Sequence, residues 1–358
     1  MTSVYIASTE TFVGKSAVCA ALLEQFRTAG YRIGYMKPVS VSAVPSESGS
    51  ADEDAQTMRR LFNLPDSPET IVPVMATLRM IEGVLRGSQR DYRADVQHAY
   101  EQIAAERDVV VLEGVNNWAE GTFLHLSADE VSEMLDLPVL LVSRYHSALA
   151  ADPIIAVQRY LQSRLMGVIL NQVPPSQVEY VRTTFAPFLE AVGVPVLGVI
   201  PGDTQLGAVS VAELAEELSA TVVGPGDTGR LIEHLTIGAM GADTALQFFR
   251  RKPNKAVITG GDRADLQIAA LETSTSCLVL TGNVRPAQTV LDRAAQRGVP
   301  VLMVTGDTMS VVQRAEGLFG RMRFGRGETH ARFSELAGAN VDMQRLISLL
   351  HLPPARRT

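Results

Sequence analysis

Short apolar runs, rich in β-branched residues, recur through the first two hundred or so positions of the chain. They alternate with stretches whose apolar positions repeat at helical spacing. The runs Val4–Ser8, Arg32–Met36, Val109–Glu113, Val139–Ser143, Gly167–Asn171 and Val196–Ile200 read as strands. Lys15–Ala29, Asp54–Phe62, Val96–Glu106 and Gln177–Val192 read as helices. Strands that are apolar at every position are buried on both faces, so the pattern predicts a parallel sheet covered by helices, with right-handed crossovers. The segment 40–52 breaks the pattern. It is polar and serine-rich, and it reads as a mobile loop that can carry groups to a ligand.

The second half repeats the alternation on a smaller scale. AVITGG (256–261), CLVLTGN (277–283) and VLMVTGD (301–307) each run from apolar residues into Thr-Gly, with helical stretches Leu266–Glu272 and Ala287–Arg297 between them. This predicts a βαβαβ unit with three Thr-Gly strand ends on one edge. That edge is where open α/β sheets bind ligands, although Thr-Gly also simply ends strands well. Before it, the first domain closes near Pro201-Gly202-Asp203, Ser210 caps a short helix Val211–Leu218, and Gly224-Pro225-Gly226-Asp227 reads as a linker. Val341–Leu350 is a last helical stretch, and Pro353–Thr358 a frayed tail. The pattern divides the chain into domains at 1–222 and 223–330 and a C-terminal helix and tail at 331–358.

Composition narrows the class. The 358 residues are 46% hydrophobic and 20% charged, which is ordinary for globular domains, and the length favours two of them. A net charge of −7 argues against a general nucleic-acid binder and for small-molecule or protein partners. Cys19 and Cys277 lie far apart in apolar contexts, as in a reducing cytoplasm. There is no signal-peptide layout, and no apolar run is long enough for a membrane span. The six histidines are scattered, with no zinc spacing, and no G-x-S-x-G elbow supports a serine nucleophile. Arg321, Arg323 and Arg326 read as a solvated basic run, and Trp118 as a lid or core aromatic.

The chemistry begins at residues 4–18. An apolar strand leads into a loop, Ser8 to Val13, and Gly14-Lys15-Ser16 then opens a long helix. That order suits a phosphate-binding loop. Backbone N–H groups and the helix N-terminus face the phosphates, Lys15 neutralises them, and the Ser16 hydroxyl can hold Mg²⁺. In the usual pattern G-x-x-x-x-G-K-[ST] the first glycine would fall at Thr9, and Phe12 is bulky for such a loop. Other groups fall at strand ends. Glu113 ends the strand VVVLE and reads as a carboxylate for Mg²⁺, which takes one or two carboxylates beside phosphate and water. Asp52, Glu53 and Asp54 open a helix, where an acid is also a common N-cap. Lys37 can reach a γ-phosphate. Asn171 can offer donor and acceptor to an adenine edge, or simply end its strand.

Together these residues resemble the dethiobiotin-synthetase-like P-loop proteins, through T-x-T-x-x-G-K-S at 9–16, Lys37-Pro38-Val39, Asp54-Ala55, Glu113-Gly114, Gly167–Asn171 and Val199-Ile200-Pro201. The resemblance implies that Thr11, Phe12, Val13, Gly14, Lys15, Ser16 and Ala17 cradle ATP. It also implies that Ser16, Asp54 and Glu113 ligate Mg²⁺, that Asn171 meets the adenine, and that Lys15 and Lys37 serve the chemistry. Thr236–Gly241 and Val257–Asp265 resemble the DRTGG domain. The pairing is similar to the N-terminal, non-catalytic portion of long bacterial phosphotransacetylases. The implied fold is a P-loop NTPase-like parallel sheet followed by a smaller α/β domain. The implied protein is a cytoplasmic homo-oligomer without nucleic-acid or membrane partners. Acetyl transfer is not expected, because no acetyltransferase domain follows. A regulatory ATP–Mg²⁺ sensor, whose second domain takes a small ligand or docks a partner enzyme, is the first functional expectation. An ATP-dependent ligase of dethiobiotin-synthetase type, acting on a carboxylate and an amine, is the alternative. The segment Ile71–Met75 lacks the Glu-x-x-Ser-Pro-like diamino-acid motif of those ligases.

Overall fold

The computed structural model describes residues 2–41, 44–46, 49–87, 90–318 and 327–353. Parts of the serine-rich segment 40–52, the arginines at 321, 323 and 326, and most of the C-terminal tail lie outside the described residues. Two compact units emerge, Met1–Gly202 with Arg323–Thr358, and Asp203–Met322.

The first unit is built on a six-stranded parallel sheet: β1 (Thr2–Ser8), β2 (Ile33–Met36), β3 (Val109–Glu113), β4 (Val139–Arg144), β5 (Leu165–Val173) and β6 (Val196–Pro201), in the order β6-β5-β4-β1-β3-β2. All six fall where the apolar runs predicted them. The runs are unbroken because these strands are packed on both faces: Val109 to Leu112 and Val139 to Val142 have no exposed surface. The connections leaving β1 and β3 run in opposite directions along the sheet, the arrangement at whose C-terminal strand ends open α/β sheets bind ligands. Helix α1 (Lys15–Thr28) is buried around much of its surface. The sheet lies on one side of it and the helix Gly327–Asn340 on the other.

That C-terminal helix is the main element the apolar pattern missed. Its sequence contains few large apolar residues, yet Phe333 and Ala337 are buried, and the His330 ring meets Phe62 edge-on at 5.9 Å. The chain then crosses the sheet edge, where the Asp342 amide donates to Leu197 at 2.8 Å, and ends in the helix Met343–Leu349. The C-terminal segment thus packs with the first unit. The stretch 203–222, read from sequence with the first domain, packs with the second. A pairing accounts for this: Val209–Ser210 forms an antiparallel ladder with Leu231–Ile232. The helix expected over 177–192 is also interrupted. A π turn, Val181–Phe185, precedes Ala186–Ala191. Pro187 has no amide hydrogen to donate and crowds the preceding turn, and a widened turn there relieves the conflict.

The second unit carries β7 (Thr221–Val222), β8 (His234–Ile237), β9 (Lys255–Gly260), β10 (Thr275–Thr281) and β11 (Val301–Met303), in the order β7-β11-β10-β9-β8. All neighbours are parallel except the edge pair of β7 and β11. Successive residues feed opposite cores. Ala256, Ile258, Cys277 and Val279 point into one, and Val257, Leu278 and Leu280 into the other. The Thr-Gly strand ends do meet on one edge, where they tie neighbours together. Thr259 Oγ1 donates to the Gly238 carbonyl at 3.1 Å, and the Thr281 and Thr308 hydroxyls share a hydrogen bond at 2.8 Å.

Lys255, at the start of β9, is fully buried, and its Nζ donates to Thr273 Oγ1 at 2.9 Å and to the Ser274 carbonyl at 2.8 Å. Burial lowers its pKa to about 8. An unfolded lysine titrates near ~10.4, so between roughly pH 8 and 10 the unfolded chain binds the extra proton and stability rises with pH. Urea unfolding of wild type and Lys255→Met should therefore show wild type gaining on the variant from pH 7 to pH 10. A gap that does not move with pH would remove this account.

Candidate functional site

The loop after β1 leaves the C-terminal edge of the sheet and leads into α1. Gly14, the N-cap of α1, takes φ 84°, a left-handed conformation that costs glycine nothing. Phe12 takes φ 61°, which an ordinary side chain adopts at a cost of about 1–2 kcal/mol. Other contacts hold the loop. Thr9, at the position of the usual first glycine, donates its amide to the Val142 carbonyl at 3.2 Å and its hydroxyl to Ser143 Oγ at 3.1 Å. Ser8 Oγ donates to the Asn116 carbonyl at 2.8 Å. The Phe12 side chain is half-exposed.

Glu113 closes β3 opposite Ile6 of β1, which brings its carboxylate under the start of α1. The next residue must be glycine, since a Cβ at Gly114 would lie 2.8 Å from the Tyr5 ring and 3.0 Å from the Ile6 carbonyl oxygen. Glu113 is buried, and both of its oxygens are engaged. Ser16 Oγ donates to Oε1 at 2.7 Å, the Tyr35 hydroxyl donates to Oε2 at 2.7 Å, and Lys15 Nζ lies 3.8 Å from Oε1. Burial, and then the Glu113 charge, push the Tyr35 hydroxyl pKa well up, so it remains a donor.

A second ion pair lies beside the first. Lys37, at the end of β2, is buried, and its Nζ donates to Asp52 Oδ2 at 2.7 Å. Asp52 also accepts from Ser40 Oγ at 2.5 Å and caps helix α2 (Glu53–Phe62) by accepting the Ala55 amide at 2.8 Å. Burial opposes the charge on Lys37, yet Glu113, Asp52 and Asp54 outweigh it and hold its pKa above the ordinary value. Burial likewise opposes the charge on Asp52, and Lys37 and the hydrogen-bond donors hold its pKa below the usual range. Asp54 is exposed as a residue, but loss of water around its carboxyl, and then the Glu113 charge, raise its pKa. The three acidic residues that open α2 therefore divide: Asp52 is capped and paired, Glu53 faces solvent, and Asp54 joins the Glu113 field.

Lys15, Ser16 and Glu113 thus converge at the strand ends, and Lys37, Asp52 and Asp54 share their electrostatic field. Ser16 and two crowded carboxylates form a hard-oxygen set that suits Mg²⁺, whose charge would relieve the crowding at Asp54. Among the described residues no three His, Cys, Asp or Glu side chains group as a metal cage, but Mg²⁺ bound partly through phosphate needs only one or two carboxylates. Asn171 ends its strand as a side chain turned to the phosphate loop. It is buried, and its Nδ2 donates to the Val13 carbonyl at 2.7 Å. Sequence reasoning passed over Tyr35 and Ser40, and it left Asp52 out of the site. No motif marks these positions. Trp118 packs against Tyr160, with ring centroids 5.0 Å apart.

A family model described as an AAA domain, AAA_26, matches residues 2–210, and the DRTGG domain model matches residues 213–318. Among curated proteins the chain is similar to a phosphate acetyltransferase of Pseudomonas aeruginosa, 24% identical over 97% of this chain and 52% of that protein. The chain spans about half the length of the acetyltransferases it matches. It is also similar to an ATP-dependent dethiobiotin synthetase of Xanthomonas campestris pv. campestris, 27% identical over 58% of this chain and 95% of that one. Among solved structures, the MinD cell division protein of Aquifex aeolicus aligns at 13% identity with a TM-score of 0.35, covering 57% of this chain and 84% of that one. Among the described residues, no helix is long and apolar enough to cross a membrane.

Proposed function

The chain belongs to the AAA_26 family of P-loop domains and carries a DRTGG domain behind it, and from that premise we propose that it binds ATP with Mg²⁺ as a regulatory ligand. The observation that carries the reading is the convergence of Lys15, Ser16 and Glu113 beneath the helix N-terminus, with Asp54 in the same field. Lys15 and the loop amides bind the phosphates, while Ser16, Asp54 and Glu113 hold the ion. Bound Mg²⁺ supplies charge neutralisation between phosphate oxygens. The second unit, whose strand ends meet on one edge, takes a small ligand or a partner enzyme, and nucleotide state sets its affinity.

One observation favours a second reading. Lys37, buried beside the site, matches a lysine important to the chemistry of the resembling ligases. In an ATP-dependent ligase it would stabilise charge developing on a transferring phosphoryl group. Calorimetry with ATP and GTP, with and without Mg²⁺, combined with an assay of phosphate release, tests both readings. Mg²⁺-dependent ATP binding with negligible release is the expected result. Sustained release stimulated by a carboxylate or an amine, and abolished in Lys37→Ala with ATP affinity intact, would establish the ligase instead. A protein that binds neither nucleotide at millimolar concentration overturns both.

A further inference from the structure

The phosphate loop of this chain lacks the first glycine of the usual pattern and holds a non-glycine residue, Phe12, in a left-handed conformation. Some other feature must hold its backbone in place, and the neighbouring strand ends provide one. Arg144, the last residue of β4, donates from its guanidinium to the Phe12 carbonyl at 3.1 Å. Gln172, near the end of β5, donates Nε2 to the same carbonyl at 3.1 Å. Asn171 donates Nδ2 to the next carbonyl, that of Val13, at 2.7 Å, from a side chain with 1% exposure.

We propose that Arg144, Asn171 and Gln172 form a carbonyl clamp that presents the loop amides to phosphate. The proposal rests on the nucleotide reading above and extends it to positioning residues. In a planar trans peptide the C=O and N–H point in opposite directions. Fixing the Phe12 and Val13 carbonyls towards β4 and β5 therefore turns the Val13 and Gly14 N–H groups away from those strands. Successive amides so directed form an anion-binding concavity, with the N-terminus of α1 next to it. The clamp replaces glycine flexibility with side-chain donors, so a Thr9/Phe12 loop is held in a phosphate-ready form before any ligand arrives. Asn171 acts through the loop and not through a base edge.

The test separates phosphate recognition from base recognition. Binding of ATP, and of inorganic tripolyphosphate competing for the same site, is measured with Mg²⁺ on the full chain and its variants. Gln172→Ala removes a neutral donor and is expected to weaken both ligands by the same factor, about threefold. Arg144→Ala, which also loses a nearby positive charge, should weaken both about tenfold, and Arg144→Lys should recover the part due to charge. Asn171→Ala should weaken both ligands and leave the ATP-to-GTP preference unchanged. Melting temperatures without ligand should barely move for the Arg144 and Gln172 variants, whose contacts lie at the surface, so these two keep the test decisive if Asn171→Ala folds poorly. Variants that lose ATP affinity and keep tripolyphosphate affinity overturn the clamp, as does tripolyphosphate failing to displace ATP. Variants that bind both ligands as wild type does also overturn it while leaving the nucleotide reading intact. A wild type that binds neither ligand overturns that reading and the clamp together.

Discussion

Lys15→Ala is expected to weaken ATP binding by about a hundredfold or more while leaving the unliganded protein nearly as stable as wild type. The two halves of that result have separate causes. In the absence of ligand, Lys15 stands 3.8 Å from Glu113 Oε1, which is long for a direct hydrogen bond, whereas Ser16 and Tyr35 each donate to Glu113 at 2.7 Å. Glu113 therefore keeps its donors when Lys15 is removed, and the folded state loses only part of its charge compensation. A bound triphosphate has no equal substitute, since the Arg144 guanidinium is turned to the Phe12 carbonyl. The loop amides are neutral, and Lys37 is already committed to Asp52. Calorimetry and thermal unfolding on the same two samples check the prediction. A variant that binds within fivefold of wild type would show that Lys15 does not face the phosphates. A variant that melts far below wild type would make Lys15 a structural partner of Glu113.

How much of this was visible in the chain depends on whether the deciding physics is local. The strands of the first sheet and the inner strands β9, β10 and β11 of the second were legible because burial on both faces demands apolar residues at every position, whereas the edge strands β7 and β8 are partly exposed and were not read as strands. The cap of the helix Val211–Glu217 was legible because Ser210 and Glu213 form a capping box within four residues. Lys15, Ser16 and Glu113 were found because a phosphate loop and an acid ending a neighbouring strand are both short-range signals. The division of labour between Asp52 and Asp54 was not legible. Either could be an N-cap, and only the helix phase, set by the pairing of Asp52 with Lys37 and Ser40, decides it. Tyr35 reads as one more core aromatic until β2 and β3 are paired, and the hydrogen bond of Asn171 to Val13, 158 residues earlier in the chain, leaves no local signal in the sequence. The helix Gly327–Asn340 was missed because its buried face is narrow and is completed by α1, about three hundred residues earlier in the chain.

Asp52→Ala should be the most destabilising single change near the site. It removes the carboxylate that accepts from the buried Lys37 ammonium, and breaking such a pair costs about 3 kcal/mol or more. It also removes the cap of α2, worth about 1 kcal/mol. For a unit of this size the melting temperature should fall by roughly 10 °C. Lys37→Met should cost less, because Asp52 keeps the Ser40 hydroxyl and the Ala55 amide. The double variant should then be clearly more stable than the sum of the two losses implies, with a coupling of about 1–3 kcal/mol. The sign with pH follows from the depressed Asp52 pKa. Its contribution is complete above the unfolded value near ~3.9 and is lost as pH falls through the lower folded value, so the gap between wild type and Asp52→Ala should close in acid. Denaturant titrations of the four proteins at pH 7, with wild type and Asp52→Ala repeated in steps downward from about pH 4, carry the test. Additive losses, or a gap that persists in acid, would mean that Asp52 acts mainly as a helix cap and that Lys37 is stabilised by Glu113 and Asp54 instead.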